Sequence, residues 1–540
     1  MPRFVSKISP NSEAYKTNRA EMLALTAKLQ DLNQRAFHAS EKRKARFDER
    51  GQLTPRARLS RVLDPGMPFL EIGNMAGYLL DRDDPAASVP GGSVIAGIGF
   101  VSGVRAAIVV DDSGINAGAM TPAGGYRLRR CQEIALAKKL PFIHLVESAG
   151  ADLMKYSVEG FIAGGGLFAN LARLSAAGVP VITVLHGAST AGGAYMPGLS
   201  DYVVAVRGRG RAFLAGPALL KAATGEIASE EELGGAEMHA SVSGLAEYLA
   251  EDDGRGLAVA REIVARLQWG EHCPVRRCGG AAEPAYDPDE IAGIVPLDYR
   301  KPYDVREVVA RVVDGSSFLD FKPAYGVSTV CLHAEVYGHA IGLLGNNGPI
   351  DPEGATKASQ FIQLCDQAQI PLVFLQNTTG YLVGAQYERA GMIKHGSKMI
   401  QAVTNVSVSR LTFMIGASFG AGNYGMCGRG YNPDFLLSWP NAKTGVMGGA
   451  QAARTMTQVM SAGAARRGAT LDEAQLNAQE AMLIQHFDGQ SDAFYTSGRM
   501  LDDGLIDPRE TRKALGFLLD TCWEARHRTV APNSFGIARM

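Results

Sequence analysis

The sequence lacks the features that mark disulfide-rich, metal-binding, nucleic-acid-binding and membrane proteins. Its seven cysteines form no C-x-x-C pair, and the grouping of His272, Cys273 and Cys278 matches no common metal template, so we expect no disulfide framework and no metal site. The 54 lysines and arginines balance 55 aspartates and glutamates, so no field of one sign attracts nucleic acid or an anionic membrane. No run approaches the roughly 20 apolar residues of a membrane helix, and the N-terminus has no apolar signal core. These absences predict a cytoplasmic protein with no nucleic-acid or membrane partner.

The length and composition predict more than one folded domain. The chain has 540 residues, of which 46% are hydrophobic and 20% charged, and this exceeds what a single core usually organises. Residues 12–50 carry leucines at helical spacing among dense charges, which predicts an amphipathic helix with a solvated face. Residues 278–290 are rich in Gly, Ala, Pro and Asp, as linkers are. The predicted organisation is an N-terminal helical segment (1–50), a first domain (51–285) and a second domain (286–540).

The same order of elements recurs on both sides of the predicted linker. Pro141 and Pro371 each open an apolar run and are 230 residues apart, as are Gly192 and Gly422. An earlier pair of glycines is 235 residues apart, so we expect an insertion of five residues in the helical region of the first half. Short buried strands alternate with helices, which predicts βαβ units. The sequence therefore predicts an α/β protein made by tandem duplication of one domain.

A small, glycine-rich turn is part of this repeat. "STAGGAY" (189–195) and "SFGAGNY" (418–424) each follow an apolar run. A strand that ends in such a turn and feeds a helix presents unpaired N–H groups, which can stabilise an oxygen that gains negative charge by roughly 3–4 kcal/mol per donor. The alternative is that the glycines only permit close packing of helix on strand. Duplication of the turn, each time beside a second glycine-bearing strand end, favours the functional interpretation.

Several longer stretches resemble one enzyme family. They include "STAGGAYMPGLSDY", "FLAGPALLKAATGE", "LQNTTGYLVG", "GAGNYGMCGRGYNP" and "WPNAKTGVMGG". They resemble the carboxyltransferase (β) subunits of biotin-dependent acyl-CoA carboxylases, which have a duplicated crotonase-like (ClpP/crotonase) domain. The resemblance extends over essentially the whole chain.

The resemblance implies a division of roles between the two domains. The N-terminal crotonase-like domain would bind the acyl-CoA and the C-terminal one carboxybiotin, with the active site between domains of two different subunits of a homo-oligomer, a hexamer built from dimers. The chain lacks a nucleotide-phosphate loop and a biotinylation signal. Biotin and its ATP-dependent carboxylation are therefore expected from a partner, the biotin carboxylase and biotin carboxyl carrier subunit.

The resemblance also implies site residues. N–H groups at Gly192 and Gly193 would face the thioester oxygen, and those at Gly422 and Asn423 the ureido oxygen of biotin. Asn423 departs from the alanine of many relatives, although a backbone contact does not depend on the side chain. The substrate-binding walls would be Ala149, Gly150, Ala151 and Ala191 in the first domain and Thr379, Gly380 and Tyr381 in the second.

The sequence restricts the choice of acyl group in the substrate but does not identify one. The second turn and the residues after it look like the branch that carboxylates 3-methylcrotonyl-CoA or geranyl-CoA, whose γ-carbon is acidic, whereas residues 110–131 depart from methylcrotonyl enzymes. The alternatives are a propionyl-CoA or acetyl-CoA carboxyltransferase, a subunit of a biotin-dependent acyl-CoA decarboxylase, a non-catalytic scaffold, and a hydratase or isomerase that acts without biotin.

Other polar residues receive mainly structural interpretations. Histidines 186 and 239 are expected to pack rather than to catalyse, and the two aspartates that end the first strand are expected to stabilise a turn. A basic group could meet coenzyme A phosphates, but a solvated helix surface is the preferred interpretation. These residues are His186, His239, Asp111, Asp112, Arg127, Arg129, Arg130 and Lys221.

Overall fold

The computed structural model describes residues 3–155, 157–276, 280–467 and 472–537. They form two compact units. The first unit comprises Asp31–Arg276, Gly498–Met500 and Asp520–Met540, and the second Met1–Gln30, Arg277–Ser497 and Leu501–Leu519. The predicted domain boundaries at 50 and 285 stay a prediction, and Cys278 of the predicted cysteine grouping lies outside the described residues.

The helices include two within residues 12–50, where the sequence predicts an amphipathic helix, and they alternate with strands thereafter. They are α1 (Glu13–Glu41), α2 (Lys44–Glu49), α3 (Pro55–Val62), α4 (Pro122–Lys138), α5 (Val158–Ala176), α6 (Tyr195–Gly198), α7 (Pro217–Thr224), α8 (Glu230–Gly234), α9 (Ala236–Met238), α10 (Asp253–Arg266), α11 (Val305–Val309), α12 (Pro352–Gln367), α13 (Ala385–Arg389), α14 (Met392–Asn405), α15 (Gly420–Gly425), α16 (Gly449–Arg466), α17 (Glu473–Ser491), α18 (Ala493–Gly498) and α19 (Thr511–His527).

The first unit contains a mixed sheet and a two-stranded ladder. Its strands are β1 (Leu70–Glu71), β2 (Val94–Val101), β3 (Val104–Asp111), β4 (Ala119–Met120), β5 (Phe142–Ser148), β6 (Gly150–Ala151), β7 (Val181–Thr190), β8 (Tyr202–Val206), β9 (Arg211–Phe213) and β10 (Tyr248–Ala250). The order is β1-β2-β3-β5-β7-β8-β10, with β9 beside β7, and β4 pairs only with β6. The pairs β1/β2 and β2/β3 are antiparallel, and the others are parallel.

The second unit repeats this arrangement. Its strands are β11 (Phe318–Asp320), β12 (Thr329–Val336), β13 (His339–Asn346), β14 (Leu372–Thr378), β15 (Arg410–Phe419), β16 (Phe435–Ser438) and β17 (Lys443–Gly445). The order is β11-β12-β13-β14-β15-β16, with β17 beside β15. Again two antiparallel pairs precede parallel ones. The predicted tandem duplication of an α/β domain is confirmed.

Matching hairpins show how the repeated sequence produces the repeated structure. Ser102 and Gly103 join β2 to β3, and Tyr337 and Gly338 join β12 to β13, and all four residues have positive φ. Two consecutive left-handed residues make the turn type that fits the twist of a two-residue hairpin. Each hairpin thus sets the register of the antiparallel pair from which its sheet extends.

The five-residue insertion lies before a helix and not within it. Ten residues separate β3 from α4, whereas five separate β13 from α12. Both helices start in the same way, with Pro at the first position and a cap from Thr121 or Asp351. The prediction that placed the insertion in the helical region was wrong, because the five extra residues lie within the segment 112–121, which includes β4.

The strands that carry the glycine turns align at a spacing of 229 residues, not 230. Ser148 of β5 is opposite Ser189 of β7, and Thr378 of β14 is opposite Ser418 of β15. The spacing of 230 holds for β5 and β14, and one residue fewer separates β14 from β15. Gly422 therefore corresponds to Gly193, and the predicted pairing of Gly422 with Gly192 was wrong by one residue.

Each unit has its own apolar core beneath its sheet. In the first unit, strand residues such as Ile108, Ile143 and Val204 pack with Leu257 of α10. In the second unit, Leu344 and Phe374 pack with helices α12 and α14. Continuous burial along the parallel strands explains their near-unbroken apolar sequences. It also fixes the strand ends from which the turns project.

Candidate active site

The first turn (residues 190–195) joins the carboxyl end of β7 to a helical run. Residues Ala191–Ala194 form a 3-10 turn that continues into α6. Ala191 and Gly192 are exposed, and Gly193 is half-buried. The N–H groups of Ala191 and Gly192 come before the first bond that such a turn can make back to its own carbonyls. The turn therefore presents a bare, accessible backbone whose first two donors have no carbonyl within the turn to bond, and the donor role of Gly193 stays a prediction.

The second turn (residues 419–424) has the same form at the end of β15. Helix α15 begins at Gly420, so the N–H groups of Gly420, Ala421 and Gly422 have no carbonyl one turn earlier to bond. Asn423 is the first residue whose N–H can reach such a carbonyl. Ala421 is exposed, whereas Gly422 is buried. The geometry favours Ala421 and Gly422 as the second pair of donors, and the donor role of Asn423 stays a prediction.

The backbone of the two turns agrees in detail. Ala191 has φ of 52° and its counterpart Gly420 has φ of 54°. The tyrosines that follow, Tyr195 and Tyr424, are 50% and 48% exposed. An alanine in the left-handed region is uncommon because its Cβ is strained there. Its presence in the first turn shows that the shape of the turn is held by its surroundings.

A second loop lies beside each turn, at the end of the neighbouring strand. Gly150 and Gly380 both have positive φ, and a Cβ at either would lie 3.3 Å from a carbonyl oxygen, that of Thr190 or of Phe419. The residues before them, Ala149 and Thr379, are exposed in both units. The predicted substrate-binding loops are thus brought against their turns in both units. Ala151 is also exposed, and Tyr381 is half-buried.

Some N–H groups of these loops are already bonded inside the fold. In the first unit, Ala149 N–H donates to the carbonyl of Gly118 at 2.9 Å, and Gly150 N–H donates to Ser148 Oγ at 3.1 Å. In the second unit, Gly380 N–H donates to Thr378 Oγ1 at 3.3 Å. These three residues therefore shape the loops through internal bonds.

A buried polar network lies beneath the first turn. Asp253, at the start of α10, is 2.9 Å from His186 Nδ1 of β7 and accepts from Leu53 N–H at 2.7 Å. The Arg58 guanidinium is 2.5 Å from Glu147 Oε2 and 3.4 Å from Asp253 Oδ2. His186 and Arg58 have no exposed surface. The network ties β5, β7, α3 and α10 together, and sequence reasoning placed only His186 near the turn.

The network also fixes protonation states. Burial, and then the neighbouring Arg58, lower the pKa of His186, so the imidazole is neutral at neutral pH. Burial alone would raise the pKa of Asp253, but hydrogen bonds from His186 and Leu53 and the charge of Arg58 outweigh it and lower the pKa to about 2. A neutral His186 then donates its Nδ1 proton to an ionised carboxylate.

This pKa predicts an acid-dependent contribution of Asp253 to stability. Its folded pKa lies below the unfolded value of about 3.9, so the stabilisation is complete above pH 4 and is lost as the pH falls through about 2; it amounts to about 2.5 kcal/mol. An Asp253→Asn variant cannot titrate there. The difference in unfolding free energy between wild type and variant, measured by urea titration from pH 7 to pH 3, should narrow as the pH falls. A difference that stays constant would contradict the assigned ionisation.

Several sequence-based interpretations are decided by the surroundings of single residues. The interpretation of Arg127 as a solvated surface residue was wrong, because Arg127 is buried in α4 and donates to the carbonyls of Ile72, Gly91 and Val94 and to Glu71. His239 is structural as predicted, since its two ring nitrogens contact Ala212 O and Ser243 Oγ at 2.7 Å. Asp112 stabilises a turn by accepting from Gly114 N–H.

Metal-binding clusters and membrane-spanning helices are both absent from the described ranges. Among those residues, no group of three or more His, Cys, Asp or Glu side chains is placed to hold a metal ion. No helix among them is long and apolar enough to cross a membrane.

Comparison with known proteins gives one consistent result. The carboxyl transferase domain model matches residues 47–536. The chain is 46% identical to the probable biotin-dependent acyl-coenzyme A carboxylase beta2 subunit of Mycobacterium tuberculosis, over 99% of each chain. It is 41% identical to the mitochondrial methylcrotonoyl-CoA carboxylase beta chain of Arabidopsis thaliana, over 99% of this chain and 91% of that protein. The crystal structure of the geranyl-CoA carboxylase beta subunit of P. aeruginosa superposes with a TM-score of 0.93 at 51% identity, covering all of both chains. Together with the duplicated α/β fold and the paired turns, these matches show that the chain belongs to the carboxyl transferase family.

Proposed function

We propose that this chain is the carboxyltransferase subunit of a biotin-dependent acyl-CoA carboxylase and that its acyl substrate is geranyl-CoA or 3-methylcrotonyl-CoA. One observation carries the proposal: the same bare turn occurs at the same sheet position in both units. The chain in which it occurs is a member of the carboxyl transferase family. Transfer of a carboxyl group between two carbonyl compounds develops a negative oxygen on each of them in turn. Two oxyanion sites meet that requirement, and a hydratase needs only one.

The first turn is assigned to the acyl-CoA thioester. The exposed backbone of Ala191 and Gly192 can approach a carbonyl oxygen without interference from side chains, and Gly193 completes the turn. Donors fixed before the reaction stabilise the enolate oxygen more than the thioester oxygen, so they lower the barrier to loss of the γ-proton. The neighbouring loop, Ala149 to Ala151, forms a wall of this site.

The second turn is assigned to carboxybiotin, which supplies the carboxyl group. The loop at Gly380 packs directly on this turn, because a Cβ at Gly422 would lie 2.8 Å from Gly380 Cα and 2.9 Å from Thr378 Cγ2. The N–H groups of Ala421 and Gly422 would hold the ureido oxygen, with Thr379, Gly380 and Tyr381 as walls. Biotin would arrive on a carrier subunit, with ATP used by the partner, so that the complex as a whole acts as a ligase in the cytoplasm.

The choice of acyl group rests on the relatives. The geranyl-CoA carboxylase beta subunit is 51% identical to this chain over its full length, and the methylcrotonoyl-CoA carboxylase beta chain is 41% identical. Both of those substrates are 3-methyl-2-enoyl thioesters, in which the double bond transmits the acidity of the thioester to the γ-carbon. The active unit would be a homo-oligomer that combines the first turn of one subunit with the second turn of another.

A substrate panel tests the proposal. The chain is assembled with its biotin-carrying partner, and ATP-dependent incorporation of labelled bicarbonate is measured with geranyl-, 3-methylcrotonyl-, propionyl- and acetyl-CoA. We expect kcat/KM for one of the two 3-methyl-enoyl substrates to exceed that for propionyl-CoA by at least a hundredfold. Omission of the partner is the control and should abolish incorporation.

Other outcomes would assign a different function. Preference for propionyl- or acetyl-CoA would refute the choice of acyl group but not the carboxyltransferase. Activity of the chain alone on an enoyl-CoA, with no incorporation in the complex, would refute carboxyl transfer and indicate a hydratase or isomerase.

A further inference from the structure

Two equivalent buried serines have opposite surroundings. Ser189 is the penultimate residue of β7 and Ser418 the penultimate residue of β15, directly before the first and second turns. Both side chains are 0% exposed. Because their strands occupy the same place in the two sheets, any difference between them is a difference in local bonding.

The hydroxyl of Ser418 lies in a network of side-chain hydrogen bonds. Its hydroxyl donates to Gln376 Oε1 at 2.5 Å and accepts from Asn423 Nδ2 at 2.7 Å. Gln376 Nε2 donates to the carbonyl of Met426, just beyond the end of α15. The carbonyl of Asn423 in turn accepts from Gly428 N–H at 2.8 Å. These bonds join β14, β15 and both ends of the short helix that contains Ala421 and Gly422.

The side chain of Ser189 has no such network among the described residues. The residue of β5 that corresponds to Gln376 is Val146, and the residue that corresponds to Asn423 is Ala194. Neither side chain can donate or accept a hydrogen bond. Among the described residues, Ser189 Oγ has no hydrogen-bond partner. The first turn is therefore held by backbone contacts and packing, whereas the second has an additional polar connection beneath it.

We propose that Gln376, Ser418 and Asn423 form a brace that positions the N–H groups of Ala421 and Gly422, and that Asn423 acts in the reaction as a positioning residue through its side chain. A buried network whose members are all satisfied restricts motion more than the separate bonds suggest. An oxyanion site loses its effect when its donors are not fixed in advance. The inference rests on the assignment of the second turn to carboxybiotin.

The same comparison shows that the first turn has no such brace. Without counterparts of Gln376 and Asn423, its donors are held by backbone contacts and packing alone, whereas the second turn also has the side-chain hydrogen bonds of Ser418. Asn423 is then a supporting residue of the biotin site. Its side chain points to Ser418 inside the fold.

The matched serines provide the test. Ser418→Ala and Ser189→Ala remove the same hydroxyl from equivalent places, one bonded and one not. In the holoenzyme assembled with the biotin-carrying partner, Ser418→Ala should lower kcat at least tenfold and leave KM for the acyl-CoA within twofold. Ser189→Ala should leave both constants within twofold, because removing an unpaired buried hydroxyl costs little.

A second variant excludes simple misfolding as the cause. Gln376→Val with Asn423→Ala gives the second turn the residues that the first turn already uses in a folded unit. It should keep its thermal transition and lose kcat to the same degree as Ser418→Ala. Hydrogen–deuterium exchange of the free chain should be several-fold faster in the peptide 418–428 of both variants, and unchanged there in Ser189→Ala.

The outcomes separate this inference from the proposed function. If the wild-type complex carboxylates an acyl-CoA, and folded Ser418→Ala and double variants keep kcat within twofold or show unchanged exchange, the brace is refuted alone. An equal loss in Ser189→Ala would refute it as well. A wild-type complex that carboxylates no acyl-CoA would refute the proposed function and this inference with it.

Discussion

A Gly193→Val variant is expected to lose carboxyl transfer by a factor of at least a hundred while it still assembles with its partner. A Cβ at Gly193 would lie 3.2 Å from Ser189 Oγ, and the two methyl groups of valine would cover the neighbouring N–H groups. Loss of one oxyanion donor costs roughly 3–4 kcal/mol, which is a hundredfold to a thousandfold in rate. The measurement is kcat/KM for bicarbonate incorporation by the assembled complex.

The control for this variant is the same substitution five residues further along the chain. Gly198, at the end of α6, has no atom within 4 Å of the position its Cβ would take. Gly198→Val should therefore assemble and retain activity within about threefold. If Gly193→Val assembles and keeps wild-type activity, the first turn has no role in the reaction.

Replacing Asp253 with alanine should produce the largest loss of stability of any substitution considered. The carboxylate is 2% exposed on its side chain and contacts His186, Arg58 and Leu53 N–H. Removing one partner of a buried ion pair leaves the others uncompensated and costs about 3–5 kcal/mol. We expect the thermal transition of the variant to fall by roughly 10 °C, measured by calorimetry on the full chain.

A surface ion pair on the same helix is the control for that loss. Arg255 and Glu262 of α10 are 3.0 Å apart, and each side chain is 54% exposed. Arg255→Ala should change the unfolding free energy by less than about 1 kcal/mol, because water screens such pairs. Equal effects of the two variants would show that the buried network contributes no more than a surface contact.

The duplication could be predicted from the sequence because its signals are local. A left-handed hairpin residue, a proline that opens a strand and a run of small residues after it each have a recognisable composition, and each occurs twice. The carboxyltransferase family followed from longer stretches around those signals. The loops predicted to bind substrate, exemplified by Ala149 and Thr379, lie at equivalent strand ends of the same repeat.

The register of the second turn could not be predicted in the same way. "AGGA" and "GAGN" contain similar glycines, so the offset of 230 taken from the prolines misplaces them by one residue, and strand pairing shows that Gly193 matches Gly422 and that Gly192 matches Ala421. The bonded partners of Asn423 are also invisible in sequence, because Gln376 and Ser418 lie 47 and 5 residues before it. The cytoplasmic location and the roles assigned to individual site residues remain predictions.

The burial of Arg127 shows a further limit of sequence reasoning. Arg127, Arg129 and Arg130 are near neighbours on α4, and a charge-rich helix is typical of a solvated face. Arg127 nevertheless points inward, where three backbone carbonyls and Glu71 satisfy its guanidinium. Those acceptors come from distant segments of the first unit, so no local pattern could reveal them.

The segment 112–121 gives the first unit a longer connection than its counterpart in the second unit. Its β4 supports the loop at Gly150 through a short parallel ladder, whereas the second unit makes the corresponding contact with the single bridge between Ile350 and Tyr381. The five extra residues are accommodated between β3 and α4, so neither sheet register nor turn geometry changes. Lengthening or shortening this connection can thus alter the loop at Gly150 while the second unit stays unchanged.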